Sequence, residues 1–141
     1  MSKRILMVLV AVLFMLPFSG IGKTDVKHRI IMQLSTGDTT EWKGTINNIK
    51  NLKKGWGDDV AIELVAHGPG ISFLMKSKTT QHAMIKELSR QGVVFMACEK
   101  TMKEKKIDKS EIVPEAGFVP MGIGEIVLKQ EQGWTYIKGG F

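Results

Sequence analysis

Two stretches of the sequence are apolar at nearly every position: residues 60–66 (VAIELVA) and 93–97 (VVFMA). A shorter run of the same kind, 29–34 (RIIMQL), comes before them. A strand that buries one face alternates apolar and polar residues, whereas a run apolar throughout must be covered on both faces. Each run ends in turn residues or a cap, and each is followed by a segment with helical spacing. After 29–34, Asp38 and Glu41 form a capping-box pattern, Trp42, Ile46, Ile49 and Leu52 mark one helical face, and Gly55 supplies a stop.

The same alternation continues to the end of the chain. Thr79 or Thr80 opens a second helix with Met84, Ile85 and Leu88 on its buried side and Gly92 as its stop. The run 93–97 delivers Cys98 to a strand end, and 99–106 continues as a helix. Residues 107–115 are irregular, 118–121 form a short strand, 123–132 a helix and 134–137 a last short strand. Two-sided strands alternating with helices predict an α/β fold: one mostly parallel sheet with helices on both faces and right-handed crossovers. Pro120 makes its strand short or places it at an edge.

A chain of 141 residues with 43% hydrophobic content fills one domain. Its single cysteine forbids an internal disulfide and a Cys-rich zinc site. The three histidines, His28, His67 and His82, form no H-x-x-x-H pair, so no metal site is expected. Residues 1–22 (MSKRILMVLVAVLFMLPFSGIG) combine a basic start, an apolar run and small residues, the form of a secretory signal peptide. The apolar run is shorter than the ~20 residues that span a bilayer. Cleavage after Gly22 is expected, leaving 23–141 as a single periplasmic domain without a stable membrane span. Removing Lys3 and Arg4 lowers the formal +6 charge by two. The remaining lysines are dispersed along the chain without interleaved aromatics, so nucleic acid is not an expected partner.

In open α/β sheets reactive groups gather at the carboxyl ends of the strands. Three segments arrive there: Ser35, Thr36 and Asp38 after the first strand, His67, Gly68 and Gly70 after the second, and Cys98 after the third. A thiol where a strand opens a helix meets free backbone amides and the positive end of the helix dipole, both of which stabilise a thiolate. Lys100 and Lys103 add to this effect and Glu99 opposes it. Cys98 is therefore a candidate nucleophile or sulfur acceptor, with a small inert core residue as the alternative. His67 is a candidate proton donor or acceptor if its strand neighbours that of Cys98, and otherwise a loop residue satisfied by backbone groups. Ser35, Thr36 and Asp38 most simply cap the first helix, with cleft lining as their other use. Gly68 and Gly70 let the chain turn sharply and approach a ligand. Trp42, Trp56 and Trp134 read as core or subunit contacts. No dinucleotide, phosphate-loop or nucleophile-elbow motif is present, and no cofactor is expected.

Taken together, QLSTGD, EWKGTINNIKNL, IELVAHGPGI, GVVFMACEKTM and EQGWTYIK resemble the DsrE/DsrF-like family of small sulfur-metabolism proteins, over residues 27–138. The resemblance implies a three-layer α/β/α fold with a roughly five-stranded sheet, assembled into a homo-oligomer, a trimer or a hexamer. It also implies that the strand-end cysteine, here Cys98, accepts sulfur as a persulfide and passes it between donor and acceptor proteins. The leading expectation is thus an exported protein that carries or senses reactive sulfur through Cys98. Its rivals are a non-catalytic homo-oligomeric binding or assembly module with a structural cysteine, and a thiol redox sensor.

Overall fold

The computed structural model describes residues 25–140. The expected signal peptide and its cleavage point lie outside them. Five strands, β1 (His28–Leu34), β2 (Val60–Ala66), β3 (Val94–Cys98), β4 (Gly117–Val119) and β5 (Thr135–Lys138), alternate with four helices. The helices are α1 (Thr39–Trp56), α2 (His82–Arg90), α3 (Glu99–Lys105) and α4 (Gly122–Glu131). The strands form one sheet in the order β4-β3-β2-β1-β5, and all four pairings are parallel. The expected α/β fold with helices on both faces is therefore observed. β4, followed directly by Pro120, is short and lies at an edge.

The order of the strands explains how the helices divide between the two faces. From β1 to β4 the chain steps in one direction, so right-handed crossovers put their helices on one face. There Trp42, Ile46 and Ile49 of α1, Ile85 and Leu88 of α2 and Met102 of α3 pack on Ile30, Met32, Ile62, Leu64 and Phe95. From β4 the chain returns across the whole sheet to β5, in the opposite sense, and α4 covers the other face. Among the described residues that second core consists of Ile31, Val65, Val119 and Ile126, with Met96 and Trp134 packed beside it. Met121, Ile123, Val127 and Leu128 around α4 point outward and are exposed.

Several local expectations shift. Asp38 does cap α1, accepting from the Thr40 N–H at 2.7 Å, but its own N–H donates to Thr36 Oγ1 and not to Glu41, so the capping box is only half formed. The helix runs past Gly55 and stops at Gly57, whose positive φ of +54° is a backbone conformation that favours glycine. Gly55 has nothing within 4 Å of a built Cβ. Gly55→Ala is therefore expected to raise stability by about 0.5 kcal/mol, read as a higher midpoint in urea unfolding. α2 begins at His82 without a side-chain cap, because Thr79 Oγ1 accepts from the Gln81 N–H in the turn before it. Of the tryptophans, Trp42 is core, while Trp56 is 43% exposed and stacks on the His28 ring at 4.0 Å.

Candidate functional site

Cys98 is both the last residue of β3 and the residue from which α3 starts. Side chains alternate along a strand, so Cys98 follows Met96 onto the α4 face of the sheet. Two helix starts therefore meet at its sulfur. α3 begins beneath it, and Gly122, the first residue of α4, donates its N–H to Cys98 Sγ at 3.1 Å. The first helix start is legible in the sequence; the second, 24 residues further along the chain, is not.

Gly122 can approach so closely because it has no side chain. A Cβ there would lie 3.1 Å from His67 Cβ, 3.1 Å from Val65 Cγ1 and 3.2 Å from Cys98 Cβ. Thr101, one turn into α3, is a second neighbour of the sulfur that no sequence motif marks. Its Oγ1 accepts from the Gly68 N–H at 3.0 Å, which leaves its own hydroxyl hydrogen to donate. Burial pushes the Cys98 thiol up, but the Thr101 hydroxyl and the backbone N–H groups around the sulfur, above all that of Gly122, outweigh it and hold the thiol below its ordinary value. The Lys100 N–H is also near, but it donates to Pro120 O at 3.2 Å. Glu99, expected to oppose this, is paired with Lys109 at 2.5 Å.

His67 follows β2 directly, and the pairing of Ala66 with Ala97 in the β2–β3 ladder sets it beside Cys98. Its strand is thus the neighbour that the proton-transfer expectation required. Its backbone N–H donates to Leu34 O at 3.1 Å, and its ring Nε2 lies 2.8 Å from Gln33 Nε2. Burial pushes the imidazole pKa down, favouring the neutral ring. His67 and Cys98 line one cleft of about 320 Å³ together with Lys100, Thr101 and Glu104 of α3 and Met121, Gly122 and Ile123. Cys98 itself is 4% exposed, so the cleft is its route to solvent.

The other expected cleft residues are placed elsewhere. Thr36 and Asp38 organise the start of α1, where Thr36 O also accepts from Trp42 Nε1 at 2.8 Å. Ser35 is not in the lining of the Cys98 cleft either. Gly70 packs against the end of β1, where a Cβ would meet Leu34 O at 2.1 Å. Gly68 belongs to the site indirectly, through Thr101. Lys103 lines a separate hollow with Glu99 and Lys109. A larger hollow of about 600 Å³ lies at the opposite end of the sheet, near His28, Arg29, Trp56 and Thr135, and holds none of the candidate residues. Among the described residues no group of three His, Cys, Asp or Glu side chains clusters so as to hold a metal ion. No helix among them is long and apolar enough to cross a membrane.

A parallel five-stranded α/β sheet with a cysteine at the carboxyl end of β3, facing the start of a helix from across the sheet, defines a class of small three-layer α/β proteins. The chain belongs to the DsrE/DsrF-like family, whose profile matches residues 30–138. Among solved structures it is similar to MTH1491, a protein of unknown function from Methanobacterium thermoautotrophicum. The two share 30% identity and a TM-score of 0.75, over 79% of this chain and 98% of that one. The fold also matches BT1422, a conserved protein of unknown function from Bacteroides thetaiotaomicron, at 18% identity and a TM-score of 0.63, over 82% of this chain and 97% of that one. The ychN protein from E. coli matches at 10% identity and a TM-score of 0.58, over 81% and 99% respectively. No curated protein matches the sequence.

Proposed function

We propose that the chain is an exported sulfur carrier whose Cys98 takes a sulfane sulfur as a persulfide and hands it to a partner protein. The observation that carries this reading is the Gly122 N–H donating to Cys98 Sγ at 3.1 Å, beside the Thr101 hydroxyl. Such donors stabilise a thiolate, which is the nucleophilic form. The same donors suit the outer sulfur of a persulfide, where the charge sits after loading. Family membership supports sulfur relay as the general role. In the loading step the Cys98 thiolate attacks the terminal sulfur of a polysulfide. A new S–S bond forms at Cys98, the donor's terminal S–S bond breaks, and the shortened polysulfide leaves with the electron pair. Neither a metal nor a nucleotide enters this step.

Export is supported by the basic, apolar and small-residue pattern of residues 1–22. Assembly into a homo-oligomer is supported by the exposed Met121, Ile123, Val127 and Leu128, since patches of this kind mark interaction surfaces. A second reading, the non-catalytic assembly module, is favoured by the burial of Cys98. Polysulfide treatment of the native protein separates the two. The carrier gains the mass of one sulfur on intact-mass measurement, Cys98→Ser does not, and iodoacetamide alkylates native Cys98. Failure of both modifications in the native protein rejects the carrier and leaves the assembly module. Faster conversion by peroxide, to a sulfenic acid or a Cys98–Cys98 dimer, would instead make the chain a thiol redox sensor.

A further inference from the structure

A chain of side chains runs along the α4 face of the sheet and ends at His67. The Tyr136 hydroxyl, on edge strand β5, donates to Gln33 Oε1 on β1. With its oxygen engaged in this way, the Gln33 amide presents Nε2, a donor with no lone pair to offer, to His67 Nε2 at 2.8 Å. Two nitrogens at that distance form a hydrogen bond only if the ring nitrogen is unprotonated. In a neutral imidazole the proton must then sit on Nδ1.

We propose that Gln33 and Tyr136 are positioning residues that lock His67 as its Nδ1–H tautomer, making it a hydrogen-bond donor to an anionic sulfur species in the Cys98 cleft and not the base that activates the thiol. The assignment of donor rests on the sulfur-carrier reading of Cys98; the tautomer rests on the three side chains alone. One further observation agrees with it: the Gly122 N–H already donates to Cys98 Sγ and favours the thiolate, so no base is required beside it. The ligand class that follows is an anion with sulfur or oxygen acceptors, such as the persulfide itself, a polysulfide or thiosulfate, in preference to a neutral trisulfide.

The test is the nitrogen NMR spectrum of ¹⁵N-histidine-labelled protein, with His67 assigned by its loss in His67→Gln. The wild type is expected to show a protonated Nδ1 and an unprotonated Nε2 at neutral pH. Gln33→Glu replaces the amide donor by an acceptor and should move the proton to Nε2, an inversion that a purely structural role for Gln33 would not produce. Tyr136→Phe, at a half-exposed position, keeps the fold and should weaken the preference without inverting it. Sulfur loading from polysulfide should fall about tenfold in Gln33→Met, the loss expected when one hydrogen bond to an anion is weakened. A protonated Nε2 in the wild type overturns the proposal, as does an unchanged loading rate in Gln33→Met. Repeating the spectrum in Cys98→Ser keeps the two readings separate, because the tautomer should survive there even if Cys98 carries no sulfur.

Discussion

Lys129→Met is expected to destabilise the protein by about 3 kcal/mol at neutral pH, whereas the double variant Glu63→Leu with Lys129→Met recovers most of that loss. Glu63 interrupts the apolar run of β2, is 3% exposed and pairs across the sheet with Ile31 and Val94. Lys129 reaches it from α4 at 2.7 Å, lies 3.6 Å from Glu125 and sits 4.4 Å above the Trp134 ring. Glu63 Oε1 has no hydrogen-bond partner, so the pair is only partly compensated. Removing the lysine alone leaves a buried carboxylate with no counter-charge, while removing both charges removes the desolvation cost as well.

The pH dependence has a definite sign. Burial pushes the Glu63 carboxyl above its ordinary value of 4.5, Lys129 pulls it back, and Glu125 raises it again. A folded-state pKa above the unfolded one means that the native protein holds a proton the unfolded chain has released. The contribution of Glu63 to stability is therefore full below 4.5 and is lost as the pH rises through the raised folded value. Without Lys129 that rise is larger, so the deficit of Lys129→Met should be greatest near neutral pH and shrink toward pH 4.5. Urea unfolding at the two pH values checks this. A deficit under about 1 kcal/mol at neutral pH would show that the pair contributes no more than a surface ion pair.

Gly122→Ala is expected to raise the Cys98 pKa and slow alkylation at neutral pH by about tenfold or more, since a hydrogen bond to a charged group is worth roughly 1.5–3 kcal/mol. The added Cβ meets three atoms at 3.1–3.2 Å, and two of them, His67 Cβ and Cys98 Cβ, are held by the backbone at the strand ends. The start of α4 must back away, which lengthens the 3.1 Å contact from the Gly122 N–H to Sγ. The rate of Cys98 alkylation against pH measures the shift, with a parallel unfolding curve to show that the fold persists. An unmoved alkylation curve in a folded Gly122→Ala protein would mean that α3 alone sets the reactivity of the thiol.

The strands and helices were legible in the sequence because burial imposes a local period. The run 60–66 was apolar almost throughout and became β2 at those same limits, central in the sheet and covered on both faces. Cys98 could be placed at a strand end because the apolar run stops there and helical spacing resumes. Boundaries that depend on a single backbone conformation were less visible. Gly55 and Gly57 are equivalent as letters, and only Gly57 takes a positive φ. Ser35, Thr36 and Asp38 reach a strand end, as the pattern implied, but the side chains of Thr36 and Asp38 are consumed locally at the start of α1.

What the sequence determined alone, then, is the alternating α/β architecture and the thiol at the end of β3, both products of short-range periodicity and chirality. The tertiary structure decided the surroundings of that thiol. Gly122 lies 24 residues from Cys98. Tyr136 lies 103 residues from Gln33. Glu63 meets Lys129 only because α4 recrosses the sheet. Such meetings depend on strand order and register, which follow from how the whole chain buries its apolar surface and leave no periodic trace in any local segment.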